Sequence, residues 1–313
     1  MPRFSVLTSL YCAESYIEEF YERTLAVIER LGGDYEIVFV DDGSPDKGND
    51  VVLGLIERDP NVRLIELSRN FGHHKAIMIG LENVKGELVF MLDSDLEEEP
   101  ELLEKFFEIM ESDTVEGESI DVVYGVMEAR KGGLMERIPG AIFYKIVNLL
   151  ADLPIPENIM AARLMRREFV DSIVRYQESQ LYLGGVMMLA GFNQVEYKTQ
   201  KLSKGRSTYN MTRKIALALD ALISFTNKPL TFIAYSGIGI CAISIIMLCI
   251  FAFQFLSGGG HVESWMYVLA SIWFLGGLNI LAIGLVGFYV GRIFIQVKLR
   301  PNAIIKRIHN ESS

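Results

Sequence analysis

Charged residues are missing from two long stretches near the end of this 313-residue chain. Residues 229–261 and 264–291 contain no Asp, Glu, Lys or Arg, and each stretch is longer than the roughly 20 apolar residues that a helix needs to cross a bilayer. We therefore predict two transmembrane helices, at 230–256 and 265–290. This prediction excludes a purely soluble protein. It also excludes a polytopic transporter, because two helices cannot enclose a substrate path alone.

Cysteine is scarce, and no excess of positive charge is present. The three cysteines are Cys12, Cys241 and Cys249; two of them lie in a predicted span, which argues against a disulfide scaffold and favours a reducing compartment. The formal net charge of −10 argues against nucleic-acid binding by the whole chain. The first ten residues are too short and too strand-like for a signal peptide, so we expect the chain to begin in the cytoplasm.

Basic residues flank the pair of predicted spans, whereas the segment between them carries chiefly His261 and Glu263. The positive-inside rule then places both flanks, both termini and the large N-terminal region on the cytoplasmic side of the membrane. We expect a multi-pass protein of the cytoplasmic membrane. The flanking basic residues are Lys198, Lys201, Lys204, Arg206, Arg213, Lys214 and Lys228 before the spans, and Arg292, Lys298, Arg300, Lys306 and Arg307 after them.

Apolar strands alternate with amphipathic helices through the first 125 residues. The predicted strands are 4–10, 35–40, 62–67, 87–92 and 121–124, and the predicted helices are 16–31, 49–58, 75–83 and 100–112. This alternation indicates an α/β fold with a mostly parallel, doubly wound sheet. No Gly-x-Gly-x-x-Gly follows the first strand, which disfavours a dinucleotide-binding domain. Ligands of such sheets bind beyond the carboxyl ends of the strands, where Asp41, Asp42, Asp93 and Asp95 fall.

The segment Asp93-Ser94-Asp95 follows a hydrophobic strand and brings two carboxylates within reach of one cation. Mg²⁺ and Mn²⁺ prefer oxygen ligands and often bind through one or two carboxylates plus substrate phosphates. A solvated acidic turn is the alternative, because Asp-x-Asp alone is common. The position at a strand end, with Asp41 and Asp42 at another, favours the metal site.

Several motifs together resemble one enzyme family, the inverting family 2 glycosyltransferases of the GT-A (Rossmann-like) fold. Within it, the chain resembles the polyisoprenyl-phosphate glycosyltransferases, relatives of dolichol-phosphate mannose synthase and bactoprenol glucosyltransferase, over nearly its whole length. The combination is specific, whereas no single motif is. The motifs are Val40-Asp41-Asp42-Gly43-Ser44, Ser68-Arg69-Asn70-Phe71-Gly72, Asp93-Ser94-Asp95-Leu96, Val123-Tyr124-Gly125, Arg130-Lys131-Gly132-Gly133, Phe143-Tyr144-Lys145, Arg163-Leu164-Met165 and Lys228-Pro229-Leu230.

The resemblance implies transfer of a sugar from a nucleotide-sugar, a UDP-sugar, to polyprenyl phosphate with Mg²⁺ or Mn²⁺ as cofactor. It implies Asp93, Asp95 and Arg163 as catalytic residues, with Asp95 and Asp93 at the metal. The implied nucleotide-binding residues are Thr8, Leu10, Tyr11, Glu14, Asp41, Asp42, Arg69 and Asp93. The implied acceptor and phosphate-binding residues are Arg130, Lys131, Arg137, Lys201, Lys204, Arg206 and Ser207. For the basic residues near 204, attraction to anionic lipid headgroups is an equally good interpretation.

The expected organisation has four parts: a GT-A catalytic domain at 1–201, an acceptor loop and interfacial amphipathic helix at 202–228, the two spans within 229–291, and a cytoplasmic tail at 292–313. The helix at 209–225 is amphipathic and basic, as helices lying on a bilayer are. A helix packed on the domain core is the alternative. Gly287 and Gly291 form a small-xxx-small pair, which leaves open both a homo-oligomer and a close crossing within one chain.

The chain departs from the family pattern in ways that bear on the acceptor. Ala161 stands where relatives carry an Asp proposed as a base, Met127 replaces a frequent Arg, Phe288 a frequent Glu, and Ser9 the usual Pro. A hydroxyl acceptor normally needs a general base. A phosphate monoester, with a second pKa of about 6, is already an oxyanion, so lipid phosphate stays compatible with Ala161.

Three other interpretations stay open at this stage. The adjacent His73 and His74 are a weak candidate for a metal pair, and more often such residues line a nucleotide site or cap a helix. A second enzyme class is a membrane-tethered transferase with a saccharide or protein acceptor; the Gln-x-x-Arg-Trp segment of processive synthases is absent from 177–182. A catalytically silent membrane scaffold is the third interpretation, against which the intact Asp-x-Asp argues.

Overall fold

The computed structural model describes residues 1–112, 114–115, 118–127, 159–176, 183–199, 264–298 and 301–310. These residues fall into two compact units. One unit holds residues 1–127, 159–199 and 301–310, and it carries every predicted site residue that the structure describes. Of the other unit, the structure describes residues 264–298, which form one helix up to residue 297.

Four parallel strands form the first part of the sheet. They are β1 (Phe4–Leu10), β2 (Tyr35–Asp41), β3 (Val62–Leu67) and β4 (Leu88–Met91), in the spatial order β3-β2-β1-β4. The helices α1 (Ile17–Leu31), α2 (Gly48–Arg58) and α3 (His73–Asn83) connect them. The strands read as nearly continuous apolar runs because both faces of a parallel sheet are covered by helices. The predicted, mostly parallel α/β sheet is confirmed.

The second part of the sheet mixes directions. After α4 (Leu102–Ser112) come the short strands β5 (Thr114–Val115) and β6 (Glu118–Ser119), which pair only with each other among the described residues. Strand β7 (Val122–Met127) is followed by β8 (Ile159–Arg166), α5 (Arg167–Ile173), α6 (Leu183–Leu189) and β9 (Gln194–Thr199). Strand β8 lies antiparallel between β4 and β7, and β9 runs parallel to β7. Strands β8, β7 and β9 therefore extend the sheet on the side of β4, the strand that precedes the Asp-x-Asp segment.

Two apolar layers hold the first of these units together, one on each face of the sheet. Helices α1, α2 and α4 pack on one face, where Phe20, Phe39 and Phe106 are fully buried. Helices α3, α5 and α6 pack on the other, around Leu7 and Phe169. The alternation of side chains along each strand explains why neighbouring residues enter opposite layers. The strand ends are thereby fixed from both sides.

The C-terminal residues return to the sheet of the first unit, which the sequence did not predict. Strand β10 (Ile305–His309) pairs antiparallel with β3 and forms one edge of the described sheet. His309 Nε2 lies 2.6 Å from Glu66 Oε1, and Lys306 Nζ donates to Glu66 Oε2 at 3.1 Å. The segment 292–313, expected to be a tail, thus contributes a strand of the sheet.

The second unit consists of α7 (Ser264–Val297), which includes the predicted span at 265–290. None of the helices that the described residues form is both long and apolar enough to cross a membrane. The other predicted span, 230–256, and the interfacial helix at 209–225 lie outside the described residues. Both membrane crossings stay predictions.

Candidate active site

The carboxyl ends of the parallel strands bring the predicted acidic residues to one edge of the sheet. Leu10, the last residue of β1, is in register with Asp41, the last residue of β2. Strand β4 lies on the other side of β1 and ends at Met91, two residues before Asp93. Because parallel strands end at the same edge, Asp41 and Asp93 flank the end of β1, as predicted from the sequence.

Asp41 and Asp42 are both buried, with 4% and 2% exposure, and their oxygens hold loops in place. Asp41 accepts hydrogen bonds from the Ser44 backbone N–H at 2.8 Å and from Asn49 Nδ2 at 3.0 Å. Asp42 accepts from the backbone N–H groups of Phe71 and Gly72 at 2.7 and 2.9 Å. Burial raises the pKa of the Asp42 carboxyl, although these two N–H groups act in the opposite direction. Asp42 therefore ties the 69–72 loop to the end of β2.

Gly43 allows that loop to come close. Its φ is +65°, a backbone conformation that residues other than glycine rarely adopt. A Cβ at this position would lie 2.6 Å from the carbonyl carbon of Arg69 and from the backbone nitrogen of Asn70. The approach of two backbones at this point explains why glycine follows the aspartate pair.

The loop that follows β4 alternates between partly exposed and buried residues. Its partly exposed positions are all acidic: Asp93, Asp95 and Glu97. The residues between them are buried, with exposures of 5% at Ser94, 0% at Leu96 and 1% at Glu98. A backbone N–H of residue 97 donates to Asp95 Oδ1 at 2.9 Å, and Leu96 has a φ of +56°. The loop therefore presents carboxylates outward and is anchored by the residues in between.

Glu98 anchors the loop to β8, and sequence reasoning did not identify it. Its Oε1 accepts the backbone N–H of Ala161 at 3.1 Å, and its Oε2 accepts that of Ala162 at 2.6 Å. Ala161 is the position at which the family resemblance would place an Asp. A buried carboxylate that accepts backbone N–H groups is strongly held, so the Asp-x-Asp loop is fixed against the strand beside it.

His73, the first residue of α3, connects two neighbouring parts of the edge. Its Nδ1 lies 2.8 Å from Ser9 Oγ, and its Nε2 lies 3.5 Å from Asp93 Oδ1. Its ring meets that of His74 edge-to-face, with centroids 5.4 Å apart. Burial lowers the pKa of His74 to about 4, so that side chain is neutral at physiological pH.

The two predicted arginines occupy different surroundings. Arg163 lies on β8 in register with Met91 and Tyr124, is only 2% exposed, and has its guanidinium carbon 5.5 Å from the centroid of the Tyr124 ring. Arg69 is exposed at the surface, with its guanidinium carbon 4.1 Å from the centroid of the Phe71 ring. Arg163 is therefore buried within the sheet, whereas Arg69 is exposed in the loop that Asp42 holds.

The predicted nucleotide turn contains both buried and exposed side chains. Thr8 and Leu10 are buried at 0% and 1%, whereas Tyr11 is 54% exposed. Glu14 Oε2 accepts the backbone N–H of Lys47 at 3.2 Å. A cavity of about 870 Å³ opens beside this turn. It is lined by Cys12, Glu14, Ser15, Glu18, Asp46, Asp50, Val51, Gly54 and Arg58. Since its acidic residues outnumber the one arginine, the cavity suits a diphosphate poorly.

The remaining predicted site residues lie outside the described residues. They are Arg130, Lys131, Arg137, Lys201, Lys204, Arg206 and Ser207. Within the described part of the chain, no group of three or more His, Cys, Asp or Glu side chains is arranged to hold a metal ion. The acceptor site and the metal ligands therefore stay predictions.

Comparisons with known proteins identify relatives along the whole chain. The model of the family described as "Glycosyl transferase family 2" matches residues 5–174. A protein of Mycobacterium tuberculosis named among glycosyltransferases is 45% identical over 98% of this chain and 88% of that protein. The SfII prophage-derived bactoprenol glucosyl transferase of Shigella flexneri is 32% identical over 98% of both chains.

Solved structures are similar to it at lower identity. A mannosyl-3-phosphoglycerate synthase from Rubrobacter xylanophilus has a TM-score of 0.49 at 15% identity, with 71% of this chain and 73% of that chain covered. Glucosyl-3-phosphoglycerate synthase from Mycobacterium tuberculosis has a TM-score of 0.46 at 17% identity, with 72% and 81% covered. The fold assignment depends on the sheet topology and on the family model.

Proposed function

Because the chain belongs to glycosyltransferase family 2, we propose that it transfers a sugar from a UDP-sugar to polyprenyl phosphate. In this proposal the reaction takes place at the cytoplasmic face of a membrane, requires a divalent cation and inverts the configuration at the anomeric carbon. The observation that carries the proposal is the loop after β4. It presents Asp93 and Asp95 on the open edge of the sheet and is anchored by Ser94, Leu96 and Glu98. A rigid acidic loop at the end of a parallel strand is suited to a phosphorylated donor bound through a cation.

The donor would lie along the edge formed by β1, β2 and β4. The exposed ring of Tyr11 is available to stack on the nucleotide base, and Arg69 is exposed on the neighbouring loop. Asp41 and Asp42 would act chiefly by fixing the loops around the base, since their oxygens already accept backbone and side-chain donors.

The residues after β4 fit a divalent cation. Asp93 and Asp95 are both partly exposed carboxylates on one loop, and hard cations bind through one or two carboxylates together with substrate phosphates. When bound, Mg²⁺ or Mn²⁺ would neutralise the charge that develops on the leaving diphosphate. The protein contributes by holding the two carboxylates ready before the donor arrives, which reduces reorganisation in the transition state.

Lipid phosphate is the acceptor that best fits the residues near β8. Ala161 provides no base, and its backbone N–H is bound to Glu98. A phosphate monoester needs none, because it is already an oxyanion near neutral pH. One of its oxygens would attack the anomeric carbon while the bond from that carbon to the diphosphate breaks, so that UDP leaves with its electron pair. The names of the bactoprenol glucosyl transferases support this acceptor.

Membrane attachment is proposed from the sequence. The two uncharged runs, 229–261 and 264–291, are each long enough to span a bilayer. The flanking basic residues favour a cytoplasmic position for the unit that contains the eight-stranded sheet, the catalytic unit. An acceptor with a polyprenyl chain would then be presented at the membrane surface, on the side where we expect the catalytic unit to lie.

The experiment compares two variants of the same loop. Membranes containing the full chain are incubated with labelled UDP-sugars and polyprenyl phosphate, and the label in the lipid extract is counted. Asp95→Asn should reduce transfer at least about 100-fold, since loss of one group that stabilises transition-state charge costs that much. Glu99→Gln removes the same charge from an exposed neighbour and should leave transfer unchanged. Equal transfer by Asp95→Asn and the wild-type protein would refute the proposed role of the loop.

A further inference from the structure

Four residues at the site edge, Ser9, His73, Asp93 and Ser94, form a closed cycle of contacts. Ser9 Oγ lies 2.8 Å from His73 Nδ1, and His73 Nε2 lies 3.5 Å from Asp93 Oδ1. Ser94, covalently next to Asp93, donates its hydroxyl to the backbone carbonyl of Ser9 at 3.1 Å. The imidazole is thus the one side chain of this cycle that comes from α3, and it links the end of β1 to the Asp-x-Asp loop.

The partners of the ring determine which nitrogen carries the proton. A carboxylate can only accept, so an attractive contact with Asp93 requires a proton on His73 Nε2. In the neutral ring Nδ1 is then the acceptor, and the Ser9 hydroxyl donates to it. In the charged ring Nδ1 also carries a proton, and Ser9 Oγ accepts. Either form directs an N–H toward Asp93. The distance of 3.5 Å from His73 Nε2 to Asp93 Oδ1 is within ion-pair range but longer than an ideal hydrogen bond.

The backbone immediately before His73 is also held in place. Asp42 accepts the N–H groups of Phe71 and Gly72, the two residues that precede His73. The ring also packs edge-to-face against His74, which is largely buried. His73 is therefore fixed in place, yet its side chain is 45% exposed and that of Asp93 is 30% exposed. Both side chains are accessible to a ligand at the sheet edge.

We propose that His73 is a positioning residue that orients the Asp93 carboxylate for the cation–diphosphate group of the donor, with Ser9 setting the orientation of the imidazole. This role deepens the proposed function and rests on it. A carboxylate on an exposed loop can rotate about its side-chain bonds, and an N–H fixed by a helix and a hydroxyl restricts that rotation. Groups that orient metal-binding carboxylates in this way commonly change metal affinity 10- to 100-fold when they are replaced.

The test measures binding, so that it does not depend on turnover. UDP is titrated calorimetrically into the purified full chain, once with Mn²⁺ and once with EDTA. For His73→Ala we expect UDP affinity in Mn²⁺ to fall about tenfold, with little change in EDTA. Ser9→Ala should cause a smaller loss in the same direction. His73→Gln should recover part of the affinity, because its amide can donate to Asp93 from a similar position.

A general loss of structure would give a different pattern. His309→Ala removes a histidine from the far edge of the sheet, and we expect it to lower the thermal stability without changing the ratio of UDP affinities in Mn²⁺ and EDTA.

If His73→Ala reduces both affinities equally, or neither, the positioning role is wrong. If Asp95→Asn still loses Mn²⁺-dependent binding in that case, the proposed function stands without it. If the wild-type chain itself fails to bind UDP with Mn²⁺, both proposals fall.

Discussion

At the scale of single residues, the site is built from side chains that hold loops as much as from side chains that face a ligand. Asp42 binds two backbone N–H groups of one loop, and Glu98 binds two of a strand. Each of these carboxylates is at most 2% exposed. Hydrogen bonds to charged groups are among the stronger ones in proteins, so both loops are rigid before a donor binds.

Gly43 offers a direct test of this loop packing. In Gly43→Ala a Cβ would lie 2.6 Å from the backbone of Arg69 and Asn70, at a φ of +65°. The conformation alone costs an alanine about 1–2 kcal/mol, and the 69–72 loop must also move. We expect a lower midpoint of thermal unfolding and weaker UDP binding.

Gly54→Ala is the matched control for this substitution. Gly54 lies within α2, and a Cβ there would meet nothing within 4 Å. Alanine is favoured over glycine in a helix by up to about 1 kcal/mol, so this variant should be slightly more stable and should bind UDP normally. Unchanged stability and UDP binding in Gly43→Ala would show that the loop does not need the close approach.

At the scale of elements, the sequence predicted the first half of the sheet better than the second. Strands β1 and β3 agree with their predicted bounds residue for residue, and the helices α1 to α4 begin or end within two residues of theirs. These elements show clear periodicity and clear turn residues. Strand β8 is different, because its direction is set by pairing with β4 and β7, which are distant along the chain.

Strand β10 could not be predicted for a related physical reason. The strand is short and largely polar. A strand at the edge of a sheet often carries charged residues, so it lacks a clear apolar pattern. Its position depends on partners about 240 residues earlier, above all Glu66. Ser9, His73 and Asp93 can likewise each be read from the sequence, but the pairing of β1 with β4 and the position of α3 bring them together.

Glu66 gives β10 a dependence on pH. Burial acts to raise the pKa of this carboxyl, but the hydrogen bonds and charges of His309 and Lys306 outweigh it, so the pKa lies below its usual value of 4.5. A carboxyl with a lowered pKa stabilises the folded protein above its unfolded-state pKa, and that stability is lost as the pH falls through the folded-state pKa. Glu66→Gln should therefore cost about 2 kcal/mol near neutral pH, and less as the pH falls below 4.5.

Thermal unfolding of the full chain in detergent, followed over a series of pH values, measures this effect. Lys306→Gln serves as control, because the lysine side chain is 61% exposed and exposed ion pairs contribute less than about 1 kcal/mol. A difference between Glu66→Gln and the wild-type protein that stays constant down to pH 3 would contradict the assignment.

At the scale of the whole molecule, strands from near both ends of the sequence belong to one sheet. Strand β1 begins at Phe4, and β10 ends at His309. The segment that contains both predicted membrane spans therefore lies between elements of the catalytic unit along the chain. In the proposed function, this arrangement ties the anchor to the catalytic sheet through both of its flanking segments.

The product of the reaction tests the central claim most directly. The purified chain is incubated with polyprenyl phosphate, Mg²⁺ and a panel of UDP-sugars, and the lipid fraction is analysed by mass spectrometry. We predict a lipid whose mass increases by one sugar residue, joined through the phosphate, and no such lipid when EDTA is present. A saccharide polymer or a glycosylated protein in its place, with the lipid unchanged, would contradict the account.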